Sequence, residues 1–110
     1  MWSMIKRGGK RIRPFLCKLL ALSFGFDDLN KIEILQGLIE VLHNSSLITD
    51  DIEDNRYIFY NNKHSYSRRN EKCVHLQYGT PISINASNYG PFQAFKFVID
   101  SDVFSKDEKF

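Results

Sequence analysis

Asp50-Asp51-Ile52-Glu53-Asp54 closes a mostly apolar segment of helical periodicity, and its reading decides the fold. An α-helix turns about 100° per residue, so Asp50 and Asp54 fall about 40° apart on one face. Asp51 flanks them. Three carboxylates this close repel one another, and Arg56 offsets only part of that repulsion. Hard oxygen ligands at this spacing suit Mg²⁺, which takes one or two protein carboxylates and completes its shell with phosphate oxygens or water. Taken alone, the pattern fits a solvated acidic helix end equally well.

Working outward toward the N-terminus, Ile32, Leu35, Ile39, Leu42 and Leu47 recur at helical spacing. Asp27 or Asp28 offers an N-cap. The segment predicts one long helix running through Asp54. Glu40, His43, Leu47, Asp50 and Asp54 follow steps of three or four and share its face. His43 lies two turns below Asp50, placed to donate to a ligand held beneath the metal. A core histidine bonded to backbone is the plainer alternative. Before this helix, Pro14 suits a first helical position and opens a segment with Phe15, Leu16, Leu19, Leu20 and Leu22 that Gly25 can end. Residues 1–13 read as a loop. Its stretch Gly8-Gly9-Lys10-Arg11-Ile12-Arg13-Pro14 suits an anion: the glycines admit close approach, Lys10 is a compact charge, and Arg13 is a planar fork. The Walker spacing is absent. A solvated basic turn or a nucleic-acid patch would carry the same residues.

Toward the C-terminus, Asn55–Ser67 has no amphipathic pattern and reads as a loop, or a hairpin turning at Asn61-Asn62. Arg68–Gly79 reads as polar and irregular. Thr80-Pro81 supplies an N-cap and first-turn pair for a third helix reaching about Val98. Residues 100–110 read as a frayed polar tail.

The 110 residues are 43% apolar and 25% charged, too apolar for a disordered chain, and the net charge of +2 alone gives no case for nucleic acid. Acidic groups on the ligand-facing helix argue further against it. Cys17 and Cys73 have neither CxxC spacing nor a disulfide framework, and Cys17 is expected in the core. No secretory leader or membrane-length apolar run is visible, so a cytoplasmic protein is the expectation, with an organelle left open.

Four blocks in order resemble the trans-isoprenyl diphosphate synthases, or polyprenyl synthetases. They are Gly9–Pro14, His43–Asn55, Arg68-Arg69 followed by His75–Gly79, and Ile84–Tyr89. The second and fourth are most similar to eukaryotic geranylgeranyl diphosphate synthases. The resemblance covers residues 5–99 and implies an all-α fold, the N-terminal part of the isoprenoid synthase helical bundle. The expected organisation is a partial domain over residues 1–99, holding the first aspartate-rich motif and an insertion near 55–67, and a polar tail over 100–110. The implied activity is Mg²⁺-dependent prenyl transfer, condensing isopentenyl diphosphate with an allylic diphosphate. By motif position, Asp50, Asp51 and Asp54 would be the catalytic residues and bind Mg²⁺. Lys10, Arg13 and His43 would hold isopentenyl diphosphate, Arg68 would face the allylic diphosphate, and Arg69 the isopentenyl one. Ser45 and Ser46, small residues about one turn below Asp50, would leave room for a C20 product.

The sequence departs from that family in two places. Asp54 and Arg68 are separated by more residues than the family usually places there, which is the ground for the insertion; a retained intron is its other reading. A second aspartate-rich motif is not found after Tyr89, and Asp100, Asp102, Asp107 and Glu108 lack its spacing. The 110-residue chain is therefore expected to be inactive by itself. Partners follow the same resemblance: the two diphosphates, and a homo-oligomer or a full-length synthase. The alternatives are a non-catalytic partner subunit of such a synthase and a terpene synthase derived from the family.

Overall fold

The computed structural model describes residues 5–6, 8–54, 67–68 and 71–109. It is all-α. Two long helices and a shorter one carry the structure: α1 (Ile12–Ser23), α2 (Leu29–Glu53) and, after a short helix α3 (Val74–Tyr78), α4 (Thr80–Asp100). A last turn, α5 (Lys106–Lys109), follows. A two-residue antiparallel pair, β1 (Ser67–Arg68) with β2 (Glu71–Lys72), pairs Ser67 with Lys72 and Arg68 with Glu71, too short to form a layer.

Local chemistry sets the helix ends. Helix α1 begins at Ile12, two residues before the position expected from Pro14. The shift is permitted because Pro14 still lies in the first turn, where its missing N–H has no intrahelical acceptor to lose. At the other end, Gly25 takes φ 77°, its N–H donates to the Leu22 carbonyl (3.0 Å), and the Phe26 N–H donates to Ala21 (2.9 Å). This is the paired closure that a left-handed glycine gives a helix C-terminus. Asp28 is the N-cap of α2, its carboxylate accepting from the Lys31 N–H at 3.2 Å. The 25 residues of α2 match the long helix predicted, with Asp54 as its C-cap. Helix α4 starts one residue earlier than expected: Gly79, at φ 84°, is the cap in place of Thr80, and Thr80 and Pro81 are the first two helical residues. Gly90-Pro91 lies inside α4, so the Ser87 carbonyl lacks the usual helical donor four residues on.

Helix α2 is the central element. Helix α4 packs along it more extensively than α1 does. The α2–α4 seam is made of small and polar groups: Ser83, Ser87 and Gly90 are buried on α4, and Thr49 Oγ1 donates to Ser87 Oγ at 3.1 Å. Small side chains let two helix backbones approach closely, and the hydroxyls satisfy one another or a local carbonyl. The apolar core is small. Among the described residues its fully buried members are Ile32, Ile48, Cys73 and Val74, with Leu47 and Ile52 packed on the Ile48–Val74 pair.

Three expectations change here. The segment read as irregular, Arg68–Gly79, contains Arg68 of β1, all of β2 and α3, the last because Val74 docks on Ile48 and Leu76 is partly covered. Cys17 is half-buried, whereas Cys73 is fully buried. The tail is not frayed throughout: Lys31 of α2 bonds the Glu108 carboxylate (2.6 Å) and lies over the Phe104 ring, 5.9 Å from its centroid. The possible hairpin at Asn61-Asn62 and the insertion through Tyr66 lie outside the described residues.

Candidate functional site

The site is built on one stripe of α2. Its lower part faces the start of α1. Residues 11–14 meet α2 at three levels: the Gln36 side chain donates to the Pro14 carbonyl (2.7 Å), Arg11 forms an ion pair with Glu40, and Arg13 Nη1 donates to His43 Nε2 (3.1 Å). Because a guanidinium has donors only, His43 Nε2 is the acceptor in this contact. Gly8 and Gly9 carry φ 80° and 144° in the loop before α1, and Lys10 after them is exposed. The structure thus brings Arg13, in the first turn of α1, into contact with His43, with Lys10 three residues earlier in the preceding loop.

The upper part is the acidic end of α2. Asp50 and Asp54 are exposed at i and i+4, whereas Asp51 is 1% exposed. The three aspartates therefore divide into an outward pair and an inward one. Asp51 lies in the electrostatic field of His75 on α3, which is itself 3% exposed. Burial pushes the His75 pKa below its ordinary value, and the nearby Asp51 charge works against that shift. No group of three His, Cys, Asp or Glu side chains that could hold a metal converges among the described residues. The outward Asp50–Asp54 pair suits Mg²⁺ none the less, because that ion takes one or two carboxylates and fills its remaining positions with phosphate oxygens and water.

Arg68 has its backbone in β1, and Arg69 lies outside the described residues. Ser45 is buried with its hydroxyl bonded to the Val41 carbonyl (2.8 Å), and Ser46 is exposed with its hydroxyl bonded to the His43 carbonyl (2.8 Å). Sequence reasoning assigned no role to Arg11, Asn44 or His75. The signal was present for Arg11: the spacing Arg11-x-Arg13 matches Glu40-x-x-His43 one helical turn apart.

A basic segment thus contacts a histidine two turns below an exposed carboxylate pair. The sequence matches the family described as Polyprenyl synthetase over residues 1–108. The chain belongs to that family. It is 35% identical over 91 residues to a short chain isoprenyl diphosphate synthase of Methanocaldococcus jannaschii, covering 83% of this chain and 25% of that protein. It is 33% identical over 86 residues to a geranylgeranyl pyrophosphate synthase of Eremothecium gossypii, covering 78% and 24%. It is also 38% identical over 86 residues to quiannulatene synthase of Emericella variicolor, covering 78% of this chain and 10% of that protein. This polyprenyl synthetase chain thus spans about a quarter of the length of the two diphosphate synthases. Among its described residues no helix is long and apolar enough to cross a membrane.

Proposed function

We propose that the chain is part of a Mg²⁺-dependent prenyltransferase of isoprenoid biosynthesis that condenses isopentenyl diphosphate with an allylic diphosphate, with geranylgeranyl diphosphate as product. The observation that carries this reading is the Arg13–His43 contact on the helix face that ends in Asp50 and Asp54. Seven residues separate His43 from Asp50, which at 1.5 Å per residue is about 10 Å along the axis. That distance accommodates two anions, one on cations and one on carboxylate-held metal.

Lys10 and Arg13 grip the isopentenyl diphosphate, and His43 donates to it once its ring turns from Arg13. Asp50 and Asp54 hold Mg²⁺ on the allylic diphosphate, with Asp51 behind them; Arg68 and Arg69 complete the two anion sites. The bound metal supplies Lewis acidity and a template for the leaving diphosphate. In the reaction the allylic C–O bond breaks with its electron pair leaving on diphosphate. The isopentenyl double bond forms the new C–C bond, and a proton is lost from that unit. Small Ser45 and Ser46 favour the longer C20 chain over C15.

Turnover by these 110 residues alone is not expected, because a carbocation needs water excluded and the apolar faces of α1 and α4 are open. Those faces also favour a second reading, a subunit that binds a full-length synthase. The names of some relatives suggest a terpene synthase, but Lys10, Arg13 and His43 together favour isopentenyl diphosphate binding. Calorimetric titration of the chain decides. Isopentenyl diphosphate should bind without metal, and Lys10→Ala or Arg13→Ala should weaken it about tenfold, the worth of one charge-assisted bond. Asp50→Asn with Asp54→Asn should remove only the Mg²⁺-dependent binding of an allylic diphosphate. Failure of either diphosphate to bind a helical chain would sink the reading.

A further inference from the structure

The diphosphate reading uses Lys10, Arg13 and His43 and leaves the cation between the first two, Arg11, without a task. Its surroundings explain why. Arg11 pairs with the Glu40 carboxylate, and its Nη2 donates to the Ile5 carbonyl at 2.7 Å. Glu40 is held in turn: Asn44 Nδ2 donates to Glu40 Oε1 at 2.8 Å and to the Glu40 carbonyl at 2.7 Å. The Glu40 side chain is 14% exposed and the Arg11 side chain 38%, so water reaches the pair mainly from the Arg11 side. Among the described residues, Arg11 is the only non-glycine with positive φ, at 51°. That left-handed backbone is strained for a residue with a Cβ and persists where other contacts fix it.

We propose that Glu40 is a positioning residue for the diphosphate site. With Asn44 it anchors Arg11, and Arg11 holds the turn that presents Lys10 on one side and Arg13, against His43, on the other. Arg11 is then a strut and not an anion ligand. The proposal rests on the diphosphate reading for its ligand, but the anchoring itself is separable. Its sign is opposite to simple electrostatics. Glu40 is an anion near an anion site, so removing it should tighten diphosphate binding if charge alone mattered.

The test is calorimetric titration of the 110-residue chain with inorganic pyrophosphate, paired with amide hydrogen exchange at Gly8 to Arg11. Glu40→Ala should weaken binding about tenfold, Glu40→Gln by less, and Asn44→Ala should weaken it with no change of charge. Exchange should quicken at residues 8–11 and stay unchanged in α4. Tighter binding by Glu40→Ala, or unchanged exchange in the loop of a variant that keeps its helical circular dichroism, overturns the proposal. If wild-type chain binds no pyrophosphate, the diphosphate reading falls, and the exchange measurement still decides whether Glu40 anchors the loop.

Discussion

Asp50 and Asp51 are neighbours in sequence with opposite surroundings. Asp50 is exposed at the acidic end of α2, while Asp51 is enclosed between α2 and α3 near His75. Removing a buried polar group that has partners leaves those partners unsatisfied, at a cost of about 1–3 kcal/mol. Asp51→Ala should therefore lower the urea midpoint, whereas Asp50→Ala should change stability by less than about 0.5 kcal/mol. Equal losses from both would mean that Asp51 is not the inward member. The sequence shows why only part of this was legible. The i, i+4 relation of Asp50 and Asp54 follows from helix geometry, and so does the shared face with His43. Which way Asp51 turns depends on Val74 and His75, more than twenty residues later and in a helix whose five residues show no clear period. The family resemblance assigned Arg13 and His43 to one ligand, but their direct contact and the Arg11–Glu40 ion pair both needed the structure. Arg11 and Arg13 are indistinguishable as charges, and only the position of Glu40 separates them.

At the scale of elements, the helices with strong end signals were legible and the interfaces were not. Asp28 before a periodic run, and Gly25 after one, mark ends by local hydrogen bonding, which sequence carries. Asp28→Ala should accordingly cost about 1 kcal/mol through loss of its bond to the Lys31 N–H. The seam between α2 and α4 is different. Its buried residues are serines and a glycine, and composition alone reads Ser83, Ser87 and Gly90 as surface. They are buried because α4 lies close against α2, with Thr49 bonded to Ser87. Ser83 is fully buried and its hydroxyl donates to the Gly79 carbonyl at 2.8 Å, so the position has no spare volume. Ser83→Leu should destabilise by about 1–3 kcal/mol through overpacking, read as a lower melting temperature. A neutral or stabilising effect would mean that α4 stands off α2. A pH effect belongs to the α5 turn. Ser105 and Glu108 cap it reciprocally, with the Ser105 N–H donating to Glu108 Oε2 at 2.8 Å. The Lys31 hydrogen bond first, then the Ser105 contacts, hold the Glu108 carboxyl at about 2 against an ordinary 4.5. A depressed carboxyl pKa favours the docked tail at pH above 4.5, and the preference is lost as pH falls through about 2. Glu108 and Phe104 resonances followed by NMR should shift together near pH 2; a Glu108 midpoint at its ordinary value would show that the tail is not docked.

The whole molecule is extended for its size. Its radius of gyration is 16.4 Å, where a compact chain of this length has about 13 Å. Its accessible surface is 7830 Å², against about 6300 Å² for a compact monomer of 12.9 kDa. The excess includes apolar groups on both flanking helices: Phe15, Leu19 and Leu20 on α1, and Ile82, Phe92 and Phe97 on α4 are all exposed. Helix α1 has no fully buried residue at all. Helices of this length are marginal in water without a packed face, so α2 with the α3–α4 side should hold together better than α1 does. A small apolar core also gives little heat-capacity change and weak cooperativity. The isolated chain should therefore bind a hydrophobic dye such as ANS, self-associate with rising concentration, and melt over a broad range, with α1 amides exchanging first. A sharp two-state transition in a chain shown to be monomeric by sedimentation, with α1 as protected as α2, would contradict this. It would mean that the seam of serines along α2 stabilises far more than its buried area implies.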